Sequence, residues 1–220
     1  AQNIVKTLCP DGRQLLCGTN LGVVYSFDLH TCTYRRVYDT GMEDPIYYLG
    51  RNSRGELMIG GVNDPVGLIL LSQDGRVKDR FAVEGGADLQ FPNVRCVLEI
   101  ETDRYLIGTR NEGLFDYHRQ KHRLVRYKYS PENHSAFDLP ENYISTVFRD
   151  SRNRIWIGTF GGGFSLFDPA TGAFTTYSSR SGLQNNNVCT IVEDLAGHLW
   201  ISTISGIADF DPETGRFINY

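Results

Sequence analysis

No stretch of this sequence approaches the roughly 20 consecutive apolar residues that a membrane-spanning helix needs, and no charged, apolar and small-residue leader opens it. It starts at Ala1 rather than Met, as expected of a chain whose signal peptide has been removed or of a trimmed piece. Basic residues are not gathered anywhere: 22 Lys and Arg stand against 26 Asp and Glu, for a net charge of -4. Without a basic stripe interleaved with aromatics, neither nucleic acid nor an anionic membrane surface is an expected partner. The five cysteines, Cys9, Cys17, Cys32, Cys96 and Cys189, are odd in number, scattered and free of CxxC spacing. They are expected to be buried or half-buried free thiols and do not fix a compartment. Low-complexity tracts are missing too, and a 40% hydrophobic content excludes disorder. Glycine, in contrast, is plentiful: 23 residues spread along the 220 suit many short strands joined by tight turns.

An internal repeat decides the fold. Five anchors align: Leu16-Cys17-Gly18-Thr19, Met58-Ile59-Gly60-Gly61, Leu106-Ile107-Gly108-Thr109, Trp156-Ile157-Gly158-Thr159 and Trp200-Ile201-Ser202-Thr203. Positions 18, 60, 108, 158 and 202 are separated by 42, 48, 50 and 44 residues, the range of a four-stranded propeller blade. The fourth unit shows the plan. Strands are expected at about 144–149, 155–159, 164–168 and 174–177, with turns at Ser151-Arg152-Asn153, Phe160-Gly161-Gly162 and Pro169-Ala170-Thr171-Gly172. The first turn places Gly12, Gly55, Asp103, Asn153 or Gly197 at one phase, residue types that tolerate positive φ. The second ends in Gly22, Gly67, Gly113, Gly163 or Gly206, a geometric duty rather than a phosphate cradle, since none opens a helix. Second strands such as Ile155-Trp156-Ile157 are apolar at consecutive positions, so both faces must be buried, as in a blade packed between two neighbours. Trp156 and Trp200 are therefore expected in the core between blades.

The pattern in Ile144 to Tyr177, and again in Val188 to Tyr220, resembles the two-component regulator propeller repeat. The matching elements are Asp150, Trp156-Ile157-Gly158-Thr159, Gly162-Gly163, Phe167-Asp168-Pro169, Thr171-Gly172 and Phe174. In the last unit they are Asp194, Gly197, Leu199-Trp200-Ile201-Ser202-Thr203, Gly206-Ile207, Phe210-Asp211-Pro212, Thr214-Gly215 and Phe217. The resemblance is weaker in Leu106 to Tyr127 and degenerate in the first two units, where Leu16 and Met58 replace the tryptophan. It implies an all-β propeller of four-stranded antiparallel blades, with five repeats at approximately 1–38, 46–81, 94–127, 144–177 and 188–220, together forming one propeller region, 1–220. Such repeats are similar to those in periplasmic sensor regions of hybrid two-component systems of Bacteroidetes type, which usually build seven-bladed rings. Further blades beyond this segment are therefore expected. The resemblance also implies an oligosaccharide ligand, contacts to neighbouring blades or ectodomain parts, a homodimer partner, and a histidine kinase elsewhere in the protein.

Loops entering the first strand of a blade and loops joining its second and third strands share one face of a propeller, where ligands are usually met. That face carries Asp44-Pro45, Gln90-Phe91-Pro92-Asn93, Glu141-Asn142-Tyr143 and Asn185-Asn186-Asn187, together with Asn20, Asn63-Asp64, Arg110-Asn111-Glu112 and Phe160. Amides, an arginine, acids and aromatics suit a hydroxyl-rich ligand. The ligand-face candidates are thus Arg110, Asn111, Glu112, Phe160, Asn63, Asp64, Asn142, Tyr143, Asn186 and Asn187. Arg110, Asn111, Glu112 and Phe160 are best placed, because the end of the anchor holds them beside the channel.

No catalytic residue, metal or cofactor is expected. The spacing of Asp194, Gly197 and Trp200 resembles the aspartate box of sialidase-like propellers with one residue more, and that box is a structural turn. An arginine cluster with a Tyr and Glu pair cannot be assembled from Arg95, Arg110 and Tyr143. His30, His118, His122, His134 and His198 fall in outer turns or loops, and a propeller lyase would want a metal-binding His at the channel mouth. The leading reading is a ligand-sensing propeller in the periplasm; the alternatives are a protein-interaction scaffold and a propeller lyase or hydrolase.

Overall fold

The computed structural model describes residues 3–41, 43–61, 67–80, 93–121, 123–131 and 135–220, with backbone alone at 79 and 80. Four strands make the first sheet: β1 (Val5–Asp11), β2 (Gln14–Thr19), β3 (Val23–Asp28) and β4 (Tyr34–Asp39). The second holds β5 (Tyr48–Arg51), β6 (Leu57–Gly60), β7 (Leu68–Leu71) and β8 (Val77–Arg80), the third β9 (Val94–Glu101), β10 (Arg104–Thr109), β11 (Leu114–His118) and β12 (Arg123–Tyr127). The fourth is β13 (Ile144–Arg149), β14 (Ile155–Thr159), β15 (Gly163–Asp168) and β16 (Ala173–Tyr177). The fifth is β17 (Val188–Glu193), β18 (Leu199–Thr203), β19 (Gly206–Asp211) and β20 (Arg216–Asn219). Each sheet runs in chain order, strand beside next strand. Five four-stranded antiparallel sheets are the β-propeller architecture that the repeat implies. By compactness the chain divides into two units, Ala1–Thr102 and Asp103–Tyr220.

The first turn of every sheet adopts the left-handed backbone that its residue type announces: φ is 62° at Gly12, 74° at Gly55, 63° at Asp103, 62° at Asn153 and 86° at Gly197. In the fourth sheet an aspartate locks this turn. Asp150 Oδ1 accepts from the backbone N–H of Arg152 at 3.0 Å and Arg154 at 2.8 Å, and Oδ2 accepts from Trp156 Nε1 at 2.9 Å. Asp194 repeats the arrangement in the fifth sheet with Ala196, His198 and Trp200. This is the structural turn expected of the Asp to Trp spacing.

In the second unit the core gathers where the fourth and fifth sheets meet. Trp156 and Phe164 pack with Val188, Ile191, Leu199, Ile201, Ala208 and Phe210. Phe164 stacks on Tyr177 at 5.3 Å, and Trp156 meets Phe210 edge-on at 5.9 Å. In the first unit Leu16 and Val24 of the first sheet pack on Leu49, Leu57, Ile59, Ile69 and Leu71 of the second. The strands β6, β10 and β14 are buried nearly throughout, as consecutive apolar residues require. Trp200 departs from expectation. It is half-buried, stacked on Tyr220 at 5.8 Å, on the face of the fifth sheet where Val192, Ile207 and Ile218 are exposed. Trp156, at the same phase, is 1% exposed. The difference is a covering sheet: the fourth has one over its tryptophan among the described residues and the fifth does not.

Candidate functional site

The anchor threonine builds the turn between the second and third strands. Thr109 Oγ1 donates to Gly113 O at 2.9 Å and accepts from Glu112 N at 3.0 Å. Thr159 repeats this with Gly163 O at 2.8 Å and Gly162 N at 3.2 Å, and Thr203 with Gly206 O at 3.1 Å and Ser205 N at 3.2 Å. Gly163 has φ of 85°, and a Cβ there would stand 2.2 Å from Tyr177 O, so the residue that closes the turn can only be glycine.

This clamp fixes the residue after each threonine: Arg110, Phe160 and Ile204. Phe160 N donates to Tyr143 O at 2.9 Å, Phe160 bridges to Asn187, and Ile204 N donates to Asn187 O at 3.2 Å. Residues that enter a first strand therefore stand beside residues that leave a second strand. Along the surface of the second unit the result is a strip. The Arg110 guanidinium carbon lies 5.9 Å from the Tyr143 ring centroid, within cation–π range. Tyr143 lies 5.3 Å from Phe160 with the ring planes 32° apart. Phe160 is 39% exposed, and half-buried Asn187 and exposed Ile204 follow it. Exposed Arg110 and Asn111 enter no ion pair or side-chain hydrogen bond among the described residues.

Three other candidates are engaged by the protein itself. Asn142 Oδ1 accepts from Tyr129 N at 2.9 Å while its carbonyl accepts from Gly113 N at 3.1 Å. Asn186 does the same for Ser179 N at 2.7 Å and for Gly161 N and Gly163 N at 3.1 and 2.9 Å. Both amides tie an entering loop to a preceding turn. Glu112 is ion-paired with Arg126 and, at 3.2 Å, with Lys128. Asn63 and Asp64 lie outside the described residues, as do Gln90, Phe91, Pro92, His122 and His134.

Beside the strip lies a polar groove of about 400 Å³, whose lining includes Tyr129, Asp138, Pro140, Gly162, Ser179 and Arg180. Its Arg180, Ser179 and Asp138 carry no motif that sequence reading could single out. The signal was relative: Gly162 stands where the third sheet has Glu112.

Elsewhere, His198 Nδ1 lies 2.8 Å from Asp209 Oδ1. That hydrogen bond raises the imidazole pKa above its ordinary value. His118 ends β11 instead of lying in a turn. Among the described residues no group of three or more His, Cys, Asp or Glu is arranged to hold a metal ion, and no helix is long and apolar enough to cross a membrane. Cys9, Cys17 and Cys96 form no disulfide and are half-buried as expected, but Cys32, in an outer turn, and Cys189, at the register shift between Val188 and Thr190 of β17, are exposed.

By fold, the chain is similar to solved extracellular and β-propeller domains. It aligns over 100% of its length with the extracellular domain assigned to the hybrid two component system BT3049 of B. thetaiotaomicron, at 22% identity and a TM-score of 0.78. It covers 28% of that domain. The corresponding domain of BT4673 from the same organism aligns over 99% of this chain and 27% of its own length, at 23% identity and a TM-score of 0.74. The β-propeller domain of Cps50 (Swd1) from Myceliophteria thermophila aligns over all of this chain and 73% of its own, at 16% identity and a TM-score of 0.69. The chain thus spans little more than a quarter of the two extracellular domains. No curated protein matches its sequence. In sequence, residues 138–161, which hold β13 and β14 of the fourth sheet, match the family model described as two component regulator propeller.

Proposed function

We propose that this chain is part of the periplasmic sensor region of a hybrid two-component signalling protein, and that it binds an oligosaccharide on the strip of Arg110, Tyr143, Phe160 and Asn187. The observation that carries this reading is the aromatic pair of exposed Phe160 and half-buried Tyr143. Two rings 5.3 Å apart offer flat apolar area to the faces of sugar rings. Arg110, Asn111 and the Asn187 amide flank them with donors and acceptors for hydroxyl groups. The family match at 138–161 spans both rings and supports the two-component assignment. Signalling needs no catalytic group: a ligand that binds one arrangement of paired ectodomains better than another shifts the population, and that bias reaches a kinase elsewhere in the protein. The partners in this reading are neighbouring blades, the rest of the ectodomain and a second copy of the whole protein.

Calorimetric titration of the intact ectodomain with plant, host and microbial oligosaccharides tests it. Phe160→Ala and Arg110→Ala are each expected to weaken a saturable signal about tenfold, the equivalent of about 1.4 kcal/mol. Silence across the panel, with capture of a protein ligand that Phe160→Ala abolishes, would favour the scaffold reading, for which the exposed Phe160 and Ile204 side chains are the supporting observation.

A further inference from the structure

The polar groove has a history written in the register of the repeats. Leu114 pairs with Tyr127 in the third sheet as Phe164 pairs with Tyr177 in the fourth. Thr176 and Ser178 therefore hold the places of Arg126 and Lys128. Gly162 holds the place of Glu112, each preceding the left-handed glycine that ends the turn. In the third sheet these three positions close on one another as a cluster of ion pairs. In the fourth, three small neutral residues leave the groove of about 400 Å³. Nothing larger fits at the centre, since a Cβ on Gly162 would stand 2.7 Å from Pro140 Cβ.

We propose that this groove is a binding subsite for a saccharide unit that carries a carboxylate, with Arg180 meeting the acid. This deepens the oligosaccharide reading and rests on it. The volume is in the range of small-molecule binding pockets, about 300 to 1,000 Å³. Among the described residues Asp138 uses only Oδ2, accepting from Ser135 N and Oγ at 2.9 Å each, and Oδ1 has no hydrogen-bond donor. Asn186 uses Oδ1 for Ser179 N, which leaves its amide N–H groups. The Ser179 hydroxyl, the Tyr129 hydroxyl and the Arg180 guanidinium bond to nothing among the described residues. Acceptors and donors without partners beside a ring-sized space are what vicinal hydroxyls require. Among the described residues Arg180 is the one Lys or Arg that lines the groove, and it is exposed and enters no ion pair. A planar guanidinium presents two parallel N–H groups, which match a carboxylate better than they match a single hydroxyl.

The test titrates the protein with short oligomers of galacturonate, glucuronate and mannuronate and with their neutral counterparts, comparing wild type with Arg180→Gln, Ser179→Trp and Phe160→Ala. Positions 179 and 180 are exposed, so folding is expected to survive and is checked by circular dichroism. Arg180→Gln should lower oligouronate affinity at least about tenfold and leave neutral sugars within about twofold, while Ser179→Trp, which fills the space, lowers both. If Phe160→Ala abolishes binding while the two groove variants bind like wild type, the groove proposal falls and the strip stands. If Arg180→Gln weakens acidic and neutral sugars alike, the carboxylate assignment falls. If no saccharide binds, both readings fall together.

Discussion

Asp150 and Asn52 occupy the same position in their repeats, and the difference between them is chemical. Asn52 Oδ1 accepts from Arg54 N and Glu56 N, and its Nδ2 donates to Glu56 at 2.8 Å. Six residues on stands Met58, which asks for nothing. Asp150 serves the same two backbone groups, but six residues on stands Trp156, whose Nε1–H needs a second oxygen. The pairing of Asp with Trp and of Asn with Met was in the sequence, legible once the repeats were aligned. Asp150→Asn would turn an amide toward the indole N–H and weaken the 2.6 Å contact from Arg154 Nε. It is expected to cost about 1 to 3 kcal/mol in urea denaturation, the range for leaving a buried polar group unpaired. Burial opposes the ionisation of Asp150, yet the bonds from Trp156 and Arg154 outweigh it and hold its pKa below the ordinary carboxylate value. A depressed folded-state pKa contributes stability above the unfolded value of about 3.9 that is lost as pH falls through the folded one. His198 runs the opposite way. Its bond to Asp209 raises its pKa, so its contribution is full below about 6.5 and is lost as pH rises through the folded value. In an NMR titration the His198 ring should have its midpoint above about 6.5, and Asp209→Asn should return it toward that value.

Among the elements, turns separate what sequence announced from what only coordinates supply. Gly163 and Gly215 both lie at positive φ, 85° and 70°, and read alike in sequence. Around Gly215 there is open space, whereas a Cβ at Gly163 would stand 2.2 Å from Tyr177 O, an atom of the sheet's own edge. Gly215→Ala is therefore expected to cost about 1 kcal/mol for the backbone conformation alone. Gly163→Ala should cost about 2 kcal/mol or more, since the edge must shift as well. Thermal melts of the two variants side by side check this. A similar limit applied to the ligand face. Asn142, Asn186 and Glu112 carry the residue types that a sugar site wants, but turn formation and ligand binding call on the same amides and acids. Only the hydrogen bonds to Tyr129 N and Ser179 N, and the ion pairs of Glu112, show that these three are engaged in holding loops to turns. The aromatic strip was half legible. Tyr143 and Phe160 were visible as loop residues, but their 5.3 Å approach depends on the backbone bond from Phe160 N to Tyr143 O.

On the scale of the whole chain, the repeat spacing revealed five sheets because every unit must bury an apolar second strand, and that demand recurs with the period. It gave no sign of the division between Thr102 and Asp103. The first turn of the third sheet carries the same left-handed residue type as every other first turn, so nothing marks it as a boundary. The two tryptophans, Trp156 and Trp200, both belong to the second unit, and their fluorescence reports on that unit alone, whereas circular dichroism sees strands throughout. Phe210 is fully buried between the fourth and fifth sheets, against Trp156, Phe164, Tyr177 and Phe217. Removing its ring should cost about 3 to 5 kcal/mol, as for other buried Phe to Ala changes. In repeat architectures stability is approximately a sum of each repeat and its interfaces with adjacent ones. A lesion between the last two sheets is then felt most strongly where it is made. In Phe210→Ala the fluorescence transition is expected to move to lower denaturant well ahead of the circular dichroism transition, which should split and keep a later phase from residues 1–102. Coincident transitions, shifted by the same amount, would mean instead that the chain unfolds as one cooperative body and that the interface energy of the last sheet is shared by all five.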